Sequence, residues 1–343
     1  MAIVAGLLVS TVVGAAVLPV PYVAMRPGSV RPVTEQVLVE GTPSYPPEHS
    51  IAYTTVSVGG TTLLEALAGW LDDDVDVFPE EVIRGDRDAE ENRRYNAQLM
   101  DTSKLVAVAV ALRHLGYEGV AVHTSGAVVR QIGEGSPAAA VLELDDVIVA
   151  VDGQPVDEPD EVGRLLQPGG PGAAHVLTVE RPPGSGTTLE VAVGTVAAPD
   201  DPQRAIIGIA PEDRLAGADL PVDVLIDSGT VGGPSAGLAF TLAVLDVLTP
   251  GELTGGHRVA ATGTIGLDGT IGPVGGAVQK ALTVRDEGYE VFLVPTDELD
   301  EVRTAIGDDL EVRAVGTLQD ALDALASLGG NAGSLAGAAA TVT

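Results

Sequence analysis

The chain of 343 residues contains no cysteine, which excludes a disulfide framework, thiol catalysis and zinc–thiolate sites. Its five histidines, His49, His114, His123, His175 and His257, are scattered without a paired spacing, so no metal site is expected. Cations are scarce: 18 Lys plus Arg stand against 49 Asp plus Glu, for a net charge of −31. Such a chain cannot neutralise a run of phosphates, which argues against a nucleic-acid partner and disfavours docking on anionic lipid. The excess acid reads as a solubilising surface, with Asp72-Asp73-Asp74 a solvated loop. A P-loop is missing as well, because neither Ser103-Lys104-Leu105 nor Gln279-Lys280-Ala281 has the glycine-lysine-hydroxyl order. Neither a nucleotide nor any other cofactor is therefore expected.

Lysine is the rarest cation, present only at Lys104 and Lys280. Its bland reading at 280 is an ordinary helix-surface charge. The competing reading is chemical: a desolvated amine can lose its proton near neutral pH and act as a base, which a guanidinium cannot.

At 45% hydrophobic, the chain can fill the cores of two or three domains. Its most informative stretch is residues 231–280. Ser235 follows Gly232-Gly233-Pro234 and precedes an apolar run of helical propensity, which places it at a helix N-terminus, where free N–H groups favour developing negative charge. Gly232 and Gly233 let the backbone approach a substrate carbonyl and are the candidate oxyanion residues. The same serine also fits the G-x-S-x-G elbow of α/β-hydrolases. That fold needs a histidine well downstream, and only His257 follows Ser235, too soon for the remaining strands.

Gly233-Pro234-Ser235-Ala236-Gly237, Thr262-Gly263-Thr264-Ile265 and Gly272-Pro273-Val274-Gly275-Gly276 followed by Lys280 together resemble the proteolytic domain of Lon-type proteases, over roughly residues 200–330. The resemblance implies a serine endopeptidase in which Ser235 is the nucleophile, Lys280 the general base and Thr262 the hydroxyl that orients the amine. It also implies homo-oligomers, often hexamers. Two positions depart from the family pattern: Gly232 stands where many members carry an acid, and Thr264 where a glutamate usually follows Thr-Gly.

Ahead of that region, residues 2–25 carry no charge, and residues 2–18 as a helix would span roughly 25 Å, close to a bilayer core. Residues 1–26 are therefore expected to be a transmembrane anchor. Pro19 and Pro21 would end the helix, and Tyr22 and Arg26 would lie at headgroup depth. A cleaved signal peptide, with Gly14-Ala15-Ala16 at the cleavage site, competes with this reading. Residues 27–118 form an extracytoplasmic segment with a strand at 53–58 and helices at 62–71 and 101–115. That strand and first helix are expected to complete the protease domain, so that the next module is inserted into it.

Residues 119–196 resemble a PDZ domain, through Gly135-Ser136-Pro137-Ala138-Ala139 and residues 144–156, with a buried strand at 147–151, a turn at Asp152-Gly153 and a short helix at 160–166. The family takes an extended peptide as an added strand. Its carboxylate loop is expected at Leu115, Gly116, Tyr117, Glu118 and Gly119. Residues 197–328 are the Lon-type domain, alternating strand and helix at 291–295, 298–306, 310–315 and 318–328, and residues 329–343 a disordered tail.

The fold class expected is thus α/β (α+β) and multidomain: an N-terminal transmembrane helix, a PDZ domain and a Lon-type proteolytic domain. The function expected is an ATP-independent, single-pass membrane serine endopeptidase with extracytoplasmic domains, whose PDZ domain captures peptide or unfolded protein. The alternative is a non-catalytic PDZ adaptor with a vestigial protease domain.

Overall fold

The computed structural model of the chain describes residues 14–85, 87–181 and 186–335, and it divides into two units, Met1–Val120 with Leu220–Thr343, and Ala121–Asp219. In chain order the first part of the larger unit supplies β1 (Pro19–Pro32), β2 (Val37–Glu40), β3 (Ala52–Thr62), α1 (Leu63–Gly69), β4 (Asp76–Pro79), α2 (Glu80–Arg84) and α3 (Ala89–Leu115). The inserted unit contains β5 (Ala121–Ile132), β6 (Val147–Val151), β7 (Gln154–Pro155), α4 (Pro159–Leu165), β8 (Ala174–Glu180), β9 (Thr188–Gly194), β10 (Val196–Ala197), β11 (Ala205–Ile206) and β12 (Ile209–Asp219). The chain then returns through β13 (Asp223–Ile226), α5 (Gly237–Leu248), β14 (Val259–Ala261), β15 (Thr264–Ile265), β16 (Ile271–Gly272), α6 (Ala277–Asp286), β17 (Val291–Pro295), α7 (Leu299–Ile306), β18 (Glu311–Val315) and α8 (Leu318–Ser327).

The larger unit is built on a sheet of order β18-β17-β14-β3-β1-β4. Strands β18, β17, β14 and β3 run parallel, and β1 and β4 add antiparallel. Alternation along β3 assigns its faces. Ala52 joins the core made with Ala277, Ala281 and Leu282 of α6 and Val302 and Ile306 of α7. Its neighbour Tyr53 meets Phe240 of α5 edge-to-face at 5.5 Å. Helices α6 and α7 therefore cover one face of the sheet and α5 the other. All twelve residues of α5 are buried, because α3 packs over its outer side.

The strand and helix near residues 52–71 thus lie in the unit that also contains Ser235 and Lys280. The anchor boundary needs correcting. Residues 2–13 lie outside the described residues, residues 14–17 are helical, and β1 already begins at Pro19. Tyr22 and Arg26 are sheet residues, paired with Pro79 of β4 and Ser57 of β3, and Tyr22 stacks edge-to-face on Trp70 at 5.6 Å. Both prolines precede the part of β1 that pairs continuously, so they mark its entry. No helix among the described residues is long and apolar enough to cross a membrane.

Helix α3 begins at Ala89, twelve residues before the expected start. Its first turns, rich in Glu, Arg and Asn, have no apolar period and are started by a capping box between Asp88 and Glu91. The inserted unit extends to Asp219 rather than 196, because β12 pairs antiparallel along β5. The chain is also ordered past residue 329: Asn331 donates to the Pro250 carbonyl at 2.7 Å, and Leu335 is buried. Residues 336–343 lie outside the described residues.

One buried carboxyl in α5 makes stability pH-dependent. Asp246 is 1% exposed, Oδ1 accepts from the Leu253 N–H at 2.9 Å, and Oδ2 has no partner. Burial, aided by the Glu252 charge, pushes its pKa from 3.8 up to about 7. The folded state keeps this proton between roughly pH 4 and 7 while the unfolded chain has lost it, so stability falls as pH rises through that window. Asp246→Asn removes that slope. In urea titrations it should match the parent near pH 3 and exceed it at pH 8 by ~2 kcal/mol, about half of what the raised pKa represents at 1.36 kcal/mol per unit.

Candidate active site

Lys280 sits in the first turn of α6, whose N-cap is Gly276. Gly276 has φ +67°, and a Cβ there would stand 2.5 Å from Met25 Sδ and 2.8 Å from Val56 Cγ1. Only glycine lets the helix start against β1 and β3. The Lys280 N–H then closes the first helical turn onto the Gly276 carbonyl at 3.0 Å. This aims the side chain inward, where it is 2% exposed. Nζ donates to Thr262 Oγ1 at 3.1 Å, and Thr262, itself fully buried, donates from Oγ1 to the Ser235 carbonyl at 3.1 Å. Burial pulls the Lys280 pKa from 10.5 down to about 7, and the Glu298 carboxylate opposes that fall.

Ser235 approaches from the opposite face of the sheet, in the turn before α5. Its carbonyl also accepts the Gly263 N–H at 2.9 Å, which ties the serine turn to the end of β14. Ser235 and Lys280 line one cleft of about 680 Å³, walled on one side by β1 and the first half of β3. The structure therefore brings Ser235, Lys280 and Thr262 together. A neutral amine and a hydroxyl in one cleft supply the parts for serine activation.

The two glycines differ. The Gly233 N–H, in a residue at φ +91°, donates to the Asn96 carbonyl of α3 at 2.8 Å, so in this conformation it is not available to an oxyanion. That part of the expectation is corrected: the donor is spent on a helix whose reach into the site was not foreseen. Gly232 lies against the same residue, where a Cβ would meet Asn96 Cβ at 2.9 Å. This explains why no side chain stands there. Lower on α3, Ser103 donates to the Pro234 carbonyl at 3.0 Å. Asn96, Ser103 and Glu298 are the site-shaping residues missed from sequence.

In the inserted unit, β12 is an edge strand, and a groove of about 960 Å³ runs beside α4. It is lined by Pro159, Val162 and Leu166 from the helix side and Ile207, Gly208 and Ile209 from the strand side. The Ile207 and Gly208 carbonyls accept from Ala138 at 3.0 Å and Gly133 at 2.9 Å, which holds the turn where β12 begins. Leu115, Gly116, Tyr117, Glu118 and Gly119 do not line this groove. They close α3 in the other unit, with Gly116 as its left-handed cap. The Ile-Gly-Ile turn after Arg204 was the signal overlooked.

Residues 208–327 match the Lon protease (S16) C-terminal proteolytic domain, and residues 128–181 match the PDZ domain. Lon protease 2 of Bacillus subtilis is 26% identical over 171 residues, 41% of this chain and 30% of that protein. Lon protease 1 of Sorangium cellulosum is 33% identical over 115 residues, 33% of this chain and 14% of that protein. The chain thus spans less than a third of the length of these relatives. The solved PDZ domain of the SdrC-like protein from Listeria monocytogenes is similar at 19% identity and TM-score 0.23, covering 25% of this chain and 87% of that one. On these matches, the chain carries a region similar to the C-terminal proteolytic domain of Lon proteases together with a region similar to a PDZ domain.

Proposed function

We propose that the protein is an ATP-independent, membrane-anchored serine endopeptidase that uses a Ser235–Lys280 dyad and takes peptide or unfolded protein through its PDZ groove. The observation that carries the reading is the Lys280 amine, buried, hydrogen-bonded to Thr262 and lowered to about 7, in the cleft that Ser235 lines. In this reaction Lys280 takes the Ser235 hydroxyl proton and Ser235 Oγ attacks the peptide carbonyl. The tetrahedral oxyanion falls to N–H groups of the 232–235 turn at the N-terminus of α5. Lys280 then returns the proton to the leaving amine, and water releases the acyl group by the same route. Use of the Gly233 N–H requires that the Asn96 carbonyl let go of it first.

The uncharged residues 2–18 support the anchor, the domains lie outside the cytoplasm because long domains translocate largely regardless of charge, and assembly as a homo-oligomer follows the family resemblance. The open edge of β12 beside α4 supports peptide capture by strand addition.

Casein or peptide cleavage should proceed without ATP and be unchanged by adding it, and Ser235→Ala or Lys280→Met should each lose at least about 10³-fold in kcat. Equal turnover by parent and both variants would end the proteolytic reading and leave a peptide-binding adaptor.

The pH profile checks the base separately. Activity should rise with pH through about 7 as Lys280 loses its proton and then level off. Glu298 raises that pKa, while its Oε1 accepts the Val274 N–H at 2.8 Å. Glu298→Gln keeps an acceptor there and should move the acid limb to lower pH with the plateau little changed; an unmoved limb would show that another group titrates.

Membrane attachment is checked by fractionation. The full chain should pellet with membranes and resist alkaline carbonate, while a chain lacking residues 1–17 should be released. A mature N-terminus following Ala16 would instead identify a cleaved signal peptide.

A further inference from the structure

The cleft shared by Ser235 and Lys280 differs in charge from the rest of the protein. The chain holds 49 acidic residues, yet among the described residues that line the cleft there is no aspartate or glutamate. Its cationic side chains are Lys280, buried and near neutrality, and Arg31, exposed on β1.

Arg31 is held at the cleft wall by the sheet itself. It pairs in register with Tyr53 of β3, just beyond an irregularity in the β1–β3 pairing between Pro27 and Val30. Its Nε donates to Ser29 Oγ at 3.2 Å, and the Tyr53 phenol lies beside it. Among the described residues no carboxylate forms an ion pair with Arg31. In a protein with nearly three acids per base, other arginines such as Arg130 and Arg214 pair with Asp145 and Glu180, whereas Arg31 faces a cleft whose described lining offers no acid. The guanidinium keeps unused donors in a planar fork that fits a carboxylate, and both flanking groups, Ser29 and Tyr53, are neutral hydrogen-bonding partners.

We propose that Arg31 is a specificity-determining residue that binds a carboxylate of the substrate, so that the enzyme favours peptides placing an acidic side chain, or their own C-terminal carboxylate, against the β1–β3 wall of the cleft. This rests on the proteolytic reading above. It gives the bare cleft two linked roles. Keeping acids off the described lining adds nothing to the upward pull that Glu298 already exerts on the Lys280 pKa, and an Arg31 without an ion-pair partner supplies the charge that draws a carboxylate past an otherwise repelling surface.

The test uses the full chain in detergent and a set of fluorogenic decapeptides in which a single Glu, Gln or Lys is walked through the positions flanking the cleaved bond, each with a free or an amidated C-terminus. At one position Glu should exceed Gln by about tenfold in kcat/KM, the scale of one charge-assisted hydrogen bond, with Lys below both. Arg31→Gln should bring Glu and Gln together, Arg31→Lys should retain part of the preference, and Arg31→Glu should favour Lys. If amidation rather than the Glu walk removes the advantage, the bound carboxylate is the terminal one. A Glu preference that survives in Arg31→Gln, or no preference for either carboxylate, overturns the proposal while cleavage continues. A second measurement separates it from the fate of the proteolytic reading: anisotropy of the same peptides on Ser235→Ala, with and without Arg31→Gln. Carboxylate-selective binding that depends on Arg31 without cleavage by the parent would sink catalysis and keep the subsite; binding indifferent to Arg31 would sink the subsite.

Discussion

Everything at the site depends on removing one ammonium group from water. The Lys280 amine is 2% exposed, and the fall of its pKa from 10.5 to about 7 expresses a preference for the neutral form of ~5 kcal/mol at 1.36 kcal/mol per pKa unit. That penalty would be ruinous for a lysine that had to stay charged. It is tolerable here because the neutral amine donates to Thr262 Oγ1, and Thr262 passes its own hydrogen on to the Ser235 carbonyl. The chain of contacts runs from the amine to the Ser235 backbone without a carboxylate in it. Glu298 pulls the other way but does not bond to the amine; its Oε1 accepts the Val274 N–H.

Delivering that lysine places demands on distant parts of the chain. The glycine cap of α6 presses against Met25 and Val56, so the strands that make room for Lys280 come from residues 19–62, some 200 positions earlier. Helix α3, also from the early part, fixes the Ser235 turn through the Asn96 carbonyl and the Ser103 hydroxyl. The inserted unit, Ala121–Asp219, interrupts the larger unit in sequence while its own core is built from its own strands and helix. An insertion of this kind is tolerated where the interrupted chain has a separate core to fold around.

The parts legible in the sequence were those whose signal is local. A run such as Val291-Phe292-Leu293-Val294-Pro295 reads as a buried strand because nothing else accommodates it, and it is one. The pair Asp152-Gly153 reads as a turn and adopts positive φ at both residues. Ser235, Thr262 and Lys280 were readable because glycine-led turns bracket them. What was not legible depended on partners far away. The first turns of α3 lack apolar periodicity and are started by a cap. The Gly233 N–H is occupied by a carbonyl 137 residues earlier in the chain. The peptide groove was sought at residues 115–119, before the first PDZ strand, whereas the turn that lines it follows the last helix of that unit in sequence. The anchor was extended too far because an uncharged stretch carries the same composition whether it enters a bilayer or the middle of a sheet. Residues 19–32 settle as β1 only because β3 and β4 flank them.

Charge distribution links these observations. A protein at −31 repels acidic peptides at long range, and salt screens that repulsion beyond about 10 Å. Inside the cleft the rule changes, since the lining has no carboxylate and its amine is near neutrality. Long-range repulsion and a locally acid-free site act on different distances, so they can coexist: the first limits approach of highly charged chains, and the second leaves a single carboxylate free to pair once it has arrived. Adding an acid to the cleft would damage both functions at once, raising the lysine pKa and occupying Arg31. On the proposed reaction, a described lining without aspartate or glutamate leaves Arg31 free of an acidic partner and adds no charge to that of Glu298, which already raises the Lys280 pKa.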